Sequence, residues 1–110
     1  MFLSDSLRGA VTVEPDAVPA GNAVPVFLRC GTLFRFRAPG DEVAAHTHRP
    51  PVSSHLTIVL AGSVEYIAGA ERRVLLAGDV LEVPPNVEHR LVGVLPGSAC
   101  LNLPLALLDV

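Results

Sequence analysis

Four histidines are the residues of this chain best suited to chemistry. Three lie in "PGDEVAAHTHRPPVSSHLTIVLAG", residues 39–62, as His46, His48 and His55. The fourth, His89, lies downstream in "GDVLEVPPNVEHRLVG". Neutral imidazole nitrogen suits Zn, Fe, Ni and Cu, and suits Mn less well. On an extended strand, side chains two residues apart point the same way, so His46-Thr47-His48 delivers two imidazoles to one face. A metal site on such scaffolding needs the remaining ligands to converge from neighbouring strands. The competing explanation is that these are surface histidines or satisfied polar groups in an apolar chain. Their surroundings decide between the two.

Those surroundings are built from short strands. The chain has 110 residues, about the size of one domain, so a single domain over residues 1–110 is expected, with its core at about 26–103 and an N-terminal arm at 1–25. Half of the residues are hydrophobic, enough for a core without disulfides or a structural metal. Ten Pro and nine Gly punctuate the sequence at the spacing of strands in a sandwich or barrel. Between them, runs rich in Val, Leu, Ile and Phe predict strands at 26–37, 43–48, 55–61, 63–68, 72–76, 80–83, 88–95 and 98–103. Helical periodicity never lasts beyond about two turns, and residues 4–11 are the one stretch that fits it. Residues 12–25 read as a Pro- and Ala-rich extended lead-in. The fold class is therefore all-β.

Alternation orients the strands. In "VFLRCGTLFRFR", Arg29, Arg35 and Arg37 share one face, which places Cys30, Thr32, Phe34 and Phe36 on the inward one. His55, Thr57 and Val59 alternate with Leu56, Ile58 and Leu60, so strand 55–61 is apolar on both faces and needs cover on both. His89 and Leu91 share a face while Arg90 points away. Glu42 and Glu88 are read as solvent-exposed, on the alternation face opposite the histidines, and Tyr66 as a core residue.

The glycines and prolines around the histidines form a pattern that resembles the cupin superfamily, the small jelly-roll metalloproteins. The first cupin motif runs from Gly through His-x-His and Glu to a second Gly. This chain has Gly40, five residues, His46 and His48, six residues, His55, then six residues and Gly62. The second motif runs from Gly through Pro-x-Gly and His to Asn. This chain has Gly78, five residues, Pro84-Pro85-Asn86, two residues, His89, then three residues and Gly93. The resemblance spans about residues 33–95. Asn86 is a mild replacement for Gly because it tolerates the left-handed conformation. The larger departure is His55, which occupies the place of the family's Glu ligand, after a loop longer than usual that contains Pro50-Pro51.

The resemblance implies an antiparallel jelly-roll β-barrel and one divalent metal ion on His46, His48, His55 and His89, with Fe(II) or Mn(II) favoured and Zn or Ni as alternatives. His55 is either a fourth ligand or a bystander at the start of its strand. An all-imidazole shell leaves the ion's charge uncompensated, which favours a small anionic substrate at its open positions. Thr32, Phe34, Thr57, Leu91 and Asn102 are candidates to line the substrate pocket. Two functions fit: a small metal-dependent dioxygenase, or a non-catalytic metal- or ligand-sensing cupin. No obvious general base lies beside the histidines, which argues against acid–base isomerase chemistry.

Composition excludes other classes. Charged residues are 17% of the chain, net charge is −3 and all eight cations are Arg, with no basic stripe for a phosphate backbone, so no nucleic-acid partner is expected. The start "MFLSDSLRGA" is not a secretory signal, and no apolar run reaches the ~18 residues of a membrane helix, so a cytoplasmic protein without a membrane partner is expected. Cys30 and Cys100, with no Cys-x-x-Cys pattern, are read as buried thiols rather than a disulfide. The doubly apolar strand 55–61 and the arm at 12–25 predict a homodimer that buries one or both.

Overall fold

A computed structural model describes residues 21–48 and 54–105. They form nine strands: β1 (Val24–Phe27), β2 (Thr32–Phe36), β3 (Glu42–His46), β4 (His55–Ala61), β5 (Ser63–Ala68), β6 (Glu71–Leu76), β7 (Val80–Val83), β8 (His89–Gly93) and β9 (Ser98–Pro104). All pair antiparallel, in a five-stranded sheet of order β1-β2-β9-β4-β7 and a four-stranded sheet of order β3-β8-β5-β6. This is the two-sheet jelly roll, and no α-helix occurs among the described residues.

Three strand expectations and that of the arm need correction, the strand expected at 88–95 being shorter, His89–Gly93. The single strand expected at 26–37 is a hairpin, because Leu28 and Gly31 exchange both backbone hydrogen bonds and fold the chain back. Gly31 permits this: a Cβ there would collide with the carbonyl oxygen of Asn102. The strand expected at 43–48 ends at His46, so His48 lies beyond it. The arm expected at 1–25 is not free at its end, since Val24 and Pro25 pair with Arg35 and Phe34. Ala23 also donates its N–H to the carbonyl of Glu42. Pro25 is tolerated because β1 is an edge strand, where a missing donor costs no ladder bond. The expected helical turn at 4–11 and most of the lead-in lie outside the described residues.

The core fills the space between the sheets, with Phe34, Phe36, Val59 and Cys100 from one side facing Val43, Val64, Tyr66, Leu75 and Leu91 from the other. β2 alternates as expected, Thr32, Phe34 and Phe36 buried and Arg35 exposed. Both cysteines are free thiols. Cys100 is buried and its thiol is pushed up to about 12 by desolvation, which leaves it inert. Cys30, expected to be buried, is only half-buried because it sits in the β1–β2 turn rather than in a strand. A polar contact also ties the sheets, the N–H of Ser63 donating to Ser98 Oγ, while the Ser63 hydroxyl donates to the carbonyl of Leu75 within its own sheet.

The two outer faces differ. On the four-stranded sheet, charges alternate with apolar residues and pair across strands, Arg90 with Glu42 at 3.2 Å and Arg72 with Glu65 at 3.6 Å. On the five-stranded sheet the register lines up Val26, Leu33, Leu101, Ile58 and Val80, one residue per strand and all apolar. Leu56 and Leu103 form a second apolar pair beside them. Val80 and Leu60 are more than half exposed, at 57% and 54%.

Candidate metal centre

A β-bulge aims the first histidine. β3 and β8 pair Glu42 with Val92, Val43 with Leu91 and His46 with His89. Three steps on β3 therefore match two on β8, and the extra residue reverses the alternation. Val43 is buried, Ala45 is exposed, and His46 turns inward beside His89. Without the bulge, Glu42 and His46 would share a face, being four residues apart. Glu42 does point away from the histidines, as expected, but the bulge and not simple alternation is the cause. Its carboxylate accepts a hydrogen bond from Arg90 on the outer face. Glu88 is exposed, as expected.

His48, past the end of β3, is held from the other side. The N–H of Asn86 donates to the carbonyl of His48 at 2.7 Å. Asn86 has φ 66°, the left-handed conformation in which a turn residue is usually Gly. The Pro84-Pro85-Asn86 turn thus presents His89 at the start of β8 and anchors His48 at the same time. His55 opens β4 on the inner face of the opposite sheet.

The four rings are contiguous. Centroids lie 4.3 Å apart for His46 and His89, 4.8 Å for His46 and His48, and 5.1 Å for His48 and His89. One ring nitrogen from each of these three falls within 4.8 Å of the others, a group able to hold a metal ion. His55 joins by stacking face to face on His48, centroids 3.8 Å apart.

Hydrogen bonding fixes two tautomers. His46 Nδ1 lies 2.8 Å from the carbonyl oxygen of Ala44, and His89 Nδ1 lies 2.9 Å from that of Val87. A carbonyl can only accept, so in both rings Nδ1 carries the proton and Nε2 presents a lone pair when the ring is neutral. Such backbone carbonyls are the usual outer partners of metal-ligating histidines. The Nε2 atoms of His46 and His48 are 3.2 Å apart. Two nitrogens each about 2.1 Å from one ion at angles of 90–109° would be about 3.0–3.4 Å apart, so the pair already has the separation of adjacent ligands.

Electrostatics favours neutral rings. Burial lowers the pKa of His46, and the nearby His89 and His55 add to this, against a smaller opposing contribution from the Ala44 carbonyl. Desolvation likewise lowers His89, opposed by the Val87 carbonyl. His48 is pushed down to about 3 by desolvation and by its three histidine neighbours. A proton that binds weakly competes weakly with a metal, so His46, His48 and His89 suit a metal ion.

The pocket candidates divide. Phe34 and Leu91 are packed inside the hydrophobic core. Thr32, Asn102 and Thr57 line up across β2, β9 and β4 on the inner face. Tyr66, expected in the core, is buried there, yet its ring also stacks on His89 with centroids 5.8 Å apart. In "SVEYIA" Tyr66 shares the parity of the buried Val64, which puts it between the sheets, and the pairing of β5 with β8 brings it to His89.

Two antiparallel sheets that close on converging imidazoles define a jelly-roll protein with a histidine cluster able to hold a metal ion. Residues 27–99 match the cupin domain family, and the chain belongs to it. Among solved structures, KdgF from Halomonas sp. is 23% identical with a TM-score of 0.60, the alignment covering 73% of each chain. An RmlC-like cupin from Shewanella frigidimarina is 29% identical with a TM-score of 0.56, over 67% of this chain and 64% of that one. A predicted oxalate decarboxylase from Thermotoga maritima is 18% identical with a TM-score of 0.58, over 66% of this chain and 61% of that one. The chain thus spans less than two thirds of the length of the latter two. No curated protein matches the sequence.

Proposed function

We propose that this cupin is a metal-dependent oxidoreductase of the dioxygenase kind, acting in the cytoplasm on a small anionic organic substrate. The observation that carries the reading is the convergence of His46, His48 and His89, with Nδ1 of His46 and of His89 each held by a backbone carbonyl so that Nε2 is left to ligate. His46, His48 and His89 would hold Fe(II) or Mn(II), with His55 as a fourth ligand in place of the family's Glu. A bound Fe(II) or Mn(II) would supply adjacent open positions for an anion and O₂. The chain itself orients the rings through the Ala44 and Val87 carbonyls and keeps protons off them by burial. Among the described residues no carboxylate joins the cluster, so an anionic substrate would meet positive charge that these residues do not compensate. Metal analysis of untagged protein, followed by an O₂-uptake screen with β-diketones, thiols and catechol-like acids, tests this. Bound Fe or Mn with O₂ uptake on one class is expected. Zn or Ni bound, with no uptake on any, would favour a sensing module instead.

We also propose that the chain works as a homodimer joined through the outer face of the five-stranded sheet. A two-fold interface must be self-complementary, and the uncharged row from Val26 to Val80 satisfies this where the charged outer face of the other sheet does not. Light scattering at tens of micromolar, a range set against typical dimer affinities, should give twice the chain mass. Leu101→Arg, in the middle of the row, should give the monomer mass with an unchanged far-UV spectrum. A wild-type monomer would refute the proposal.

A further inference from the structure

The inner face of the five-stranded sheet is graded. Along β4 the inward residues run Val59, Thr57, His55, and along β9 they run Cys100, Asn102, Pro104. Along β2 they run Phe36, Phe34, Thr32. One end of this face is dry core and the other carries a histidine. Between them lies the rank Thr32–Asn102–Thr57, directly opposite one another across three strands. Asn102 is diagonal to His55, at the roughly 7–8 Å spacing over which long side chains still interact.

Within the rank, Thr57 is only 2% exposed and its hydroxyl donates to Asn102 Oδ1 at 3.0 Å. That bond uses the acceptor end of the carboxamide and fixes the plane of the group, so both N–H donors lie at the opposite end. Asn102 is half-buried, and its register against Gly31 is tight, because its own carbonyl leaves no room for a Cβ there. The result is an oriented, uncharged pair of donors one rank from the histidines.

We propose that Asn102 is a substrate-positioning residue, held by Thr57, which donates to the second oxygen of an anion whose first oxygen binds at the histidine cluster. The proposal rests on the metal reading above and narrows its substrate class to small anions with two oxygens on adjacent or near-adjacent carbons, such as 2-oxo acids and enolates. The residue type fits the task. An Asp would repel the anion and compete for the ion, and an Arg or Lys would be repelled by a dication with neutral ligands. A carboxamide supplies donors without either conflict.

The test uses Co(II)-loaded protein titrated with pyruvate and, separately, with chloride, both followed by the visible bands of the ion. Chloride is a single atom and cannot reach the metal and the amide together. Asn102→Leu should weaken pyruvate about tenfold or more, the worth of one hydrogen bond to a charged group, and leave chloride and Co(II) affinity unchanged. Asn102→Asp, which still accepts from Thr57 and so preserves the packing, should weaken pyruvate further through repulsion. Thr57→Val should produce a smaller loss that Thr57→Ser restores, because Ser keeps the hydroxyl that orients the amide. Co(II)-loaded variants at Asn102 that bind pyruvate as tightly as the wild type would overturn the positioning role alone. A wild type that takes up no Co(II) would overturn the metal reading and this proposal with it.

Discussion

Replacing His46, His48 or His89 with Ala is expected to abolish divalent-metal binding, measured by calorimetric titration of Mn(II), Fe(II), Ni(II) and Zn(II) into the metal-free protein. Losing an outer partner of a ligand costs roughly 10–100-fold in metal affinity, and losing one of three convergent nitrogens should cost more. His55→Ala should weaken binding less, since its ring reaches the cluster by stacking on His48. His55→Glu, which restores the family's usual ligand type, should retain metal. If His55→Ala leaves affinity and activity untouched, His55 is a bystander. A wild type that binds none of the four ions would remove the metal reading and leave the jelly roll.

The same rings fix the sign of the pH dependence. Free imidazole titrates near 6.5, so a cluster of ordinary histidines would release its ion as pH falls through ~6.5. Burial lowers His46, His48 and His89 below that value. The ion therefore competes with a weaker proton, and the occupancy midpoint should lie below 6.5. In the metal-free protein, the unfolded chain takes up protons at these sites from about pH 6.5 downward while the folded chain resists. Stability should therefore fall with acidification across that window, for His48 down to about 3. His48→Ala should flatten part of the slope of melting temperature against pH. An unchanged slope would show that His48 does not resist protonation in the fold.

The turns were legible in the sequence because glycine, proline and asparagine carry local constraints. Gly40, Gly62 and Gly78 all adopt positive φ, and strands 55–61, 63–68 and 80–83 have the predicted bounds. The convergence of His46, His48 and His89 was legible through the motif spacing. What was not legible depends on tertiary contact. The bulge that turns His46 inward leaves no mark in "EVAAH", since Ala44 and Ala45 tolerate either face. The hairpin at Leu28–Gly31 is hidden inside an apolar run, and it shows only when the carbonyl of Asn102 claims the space where a Cβ at 31 would be. The ring of Tyr66 against His89 follows from strand order, which periodicity does not encode.

Gly93 is expected to tolerate no side chain, although the cupin motif that this chain resembles carries Asn at that position. A Cβ on Gly93 would lie 2.6 Å from the Cβ of Phe36 and 2.9 Å from its Cγ. Phe36 is fully buried at the centre of the core and has nowhere to go. Gly93 is also pinned by its backbone, accepting from the N–H of Gly40 and donating to the carbonyl of Asp41. The side chain of Phe36 on the facing sheet thus fills the space that a side chain at position 93 would need. Gly93→Ala should cost about 1–3 kcal/mol by overpacking, and Gly93→Asn more. In a domain of this size each kcal/mol lowers the melting temperature by about 4–8 °C, so thermal unfolding followed by circular dichroism resolves both. Phe36→Ala alone should cost about 3–5 kcal/mol through the cavity it leaves, a large share of the roughly 5–15 kcal/mol that holds a domain folded. The double variant, Gly93→Ala with Phe36→Gly, compared with its two single variants, decides the mechanism, because Phe36→Gly removes the Cβ that lies nearest as well as the ring. With both the ring and the Cβ of position 36 removed, the methyl group introduced by Gly93→Ala meets none of the three atoms it would otherwise clash with, so the combined loss should fall short of the sum of the single losses by about 1 kcal/mol or more. Strictly additive losses would show that Gly93 is required for its backbone alone and that Phe36 does not fill the place of the missing side chain.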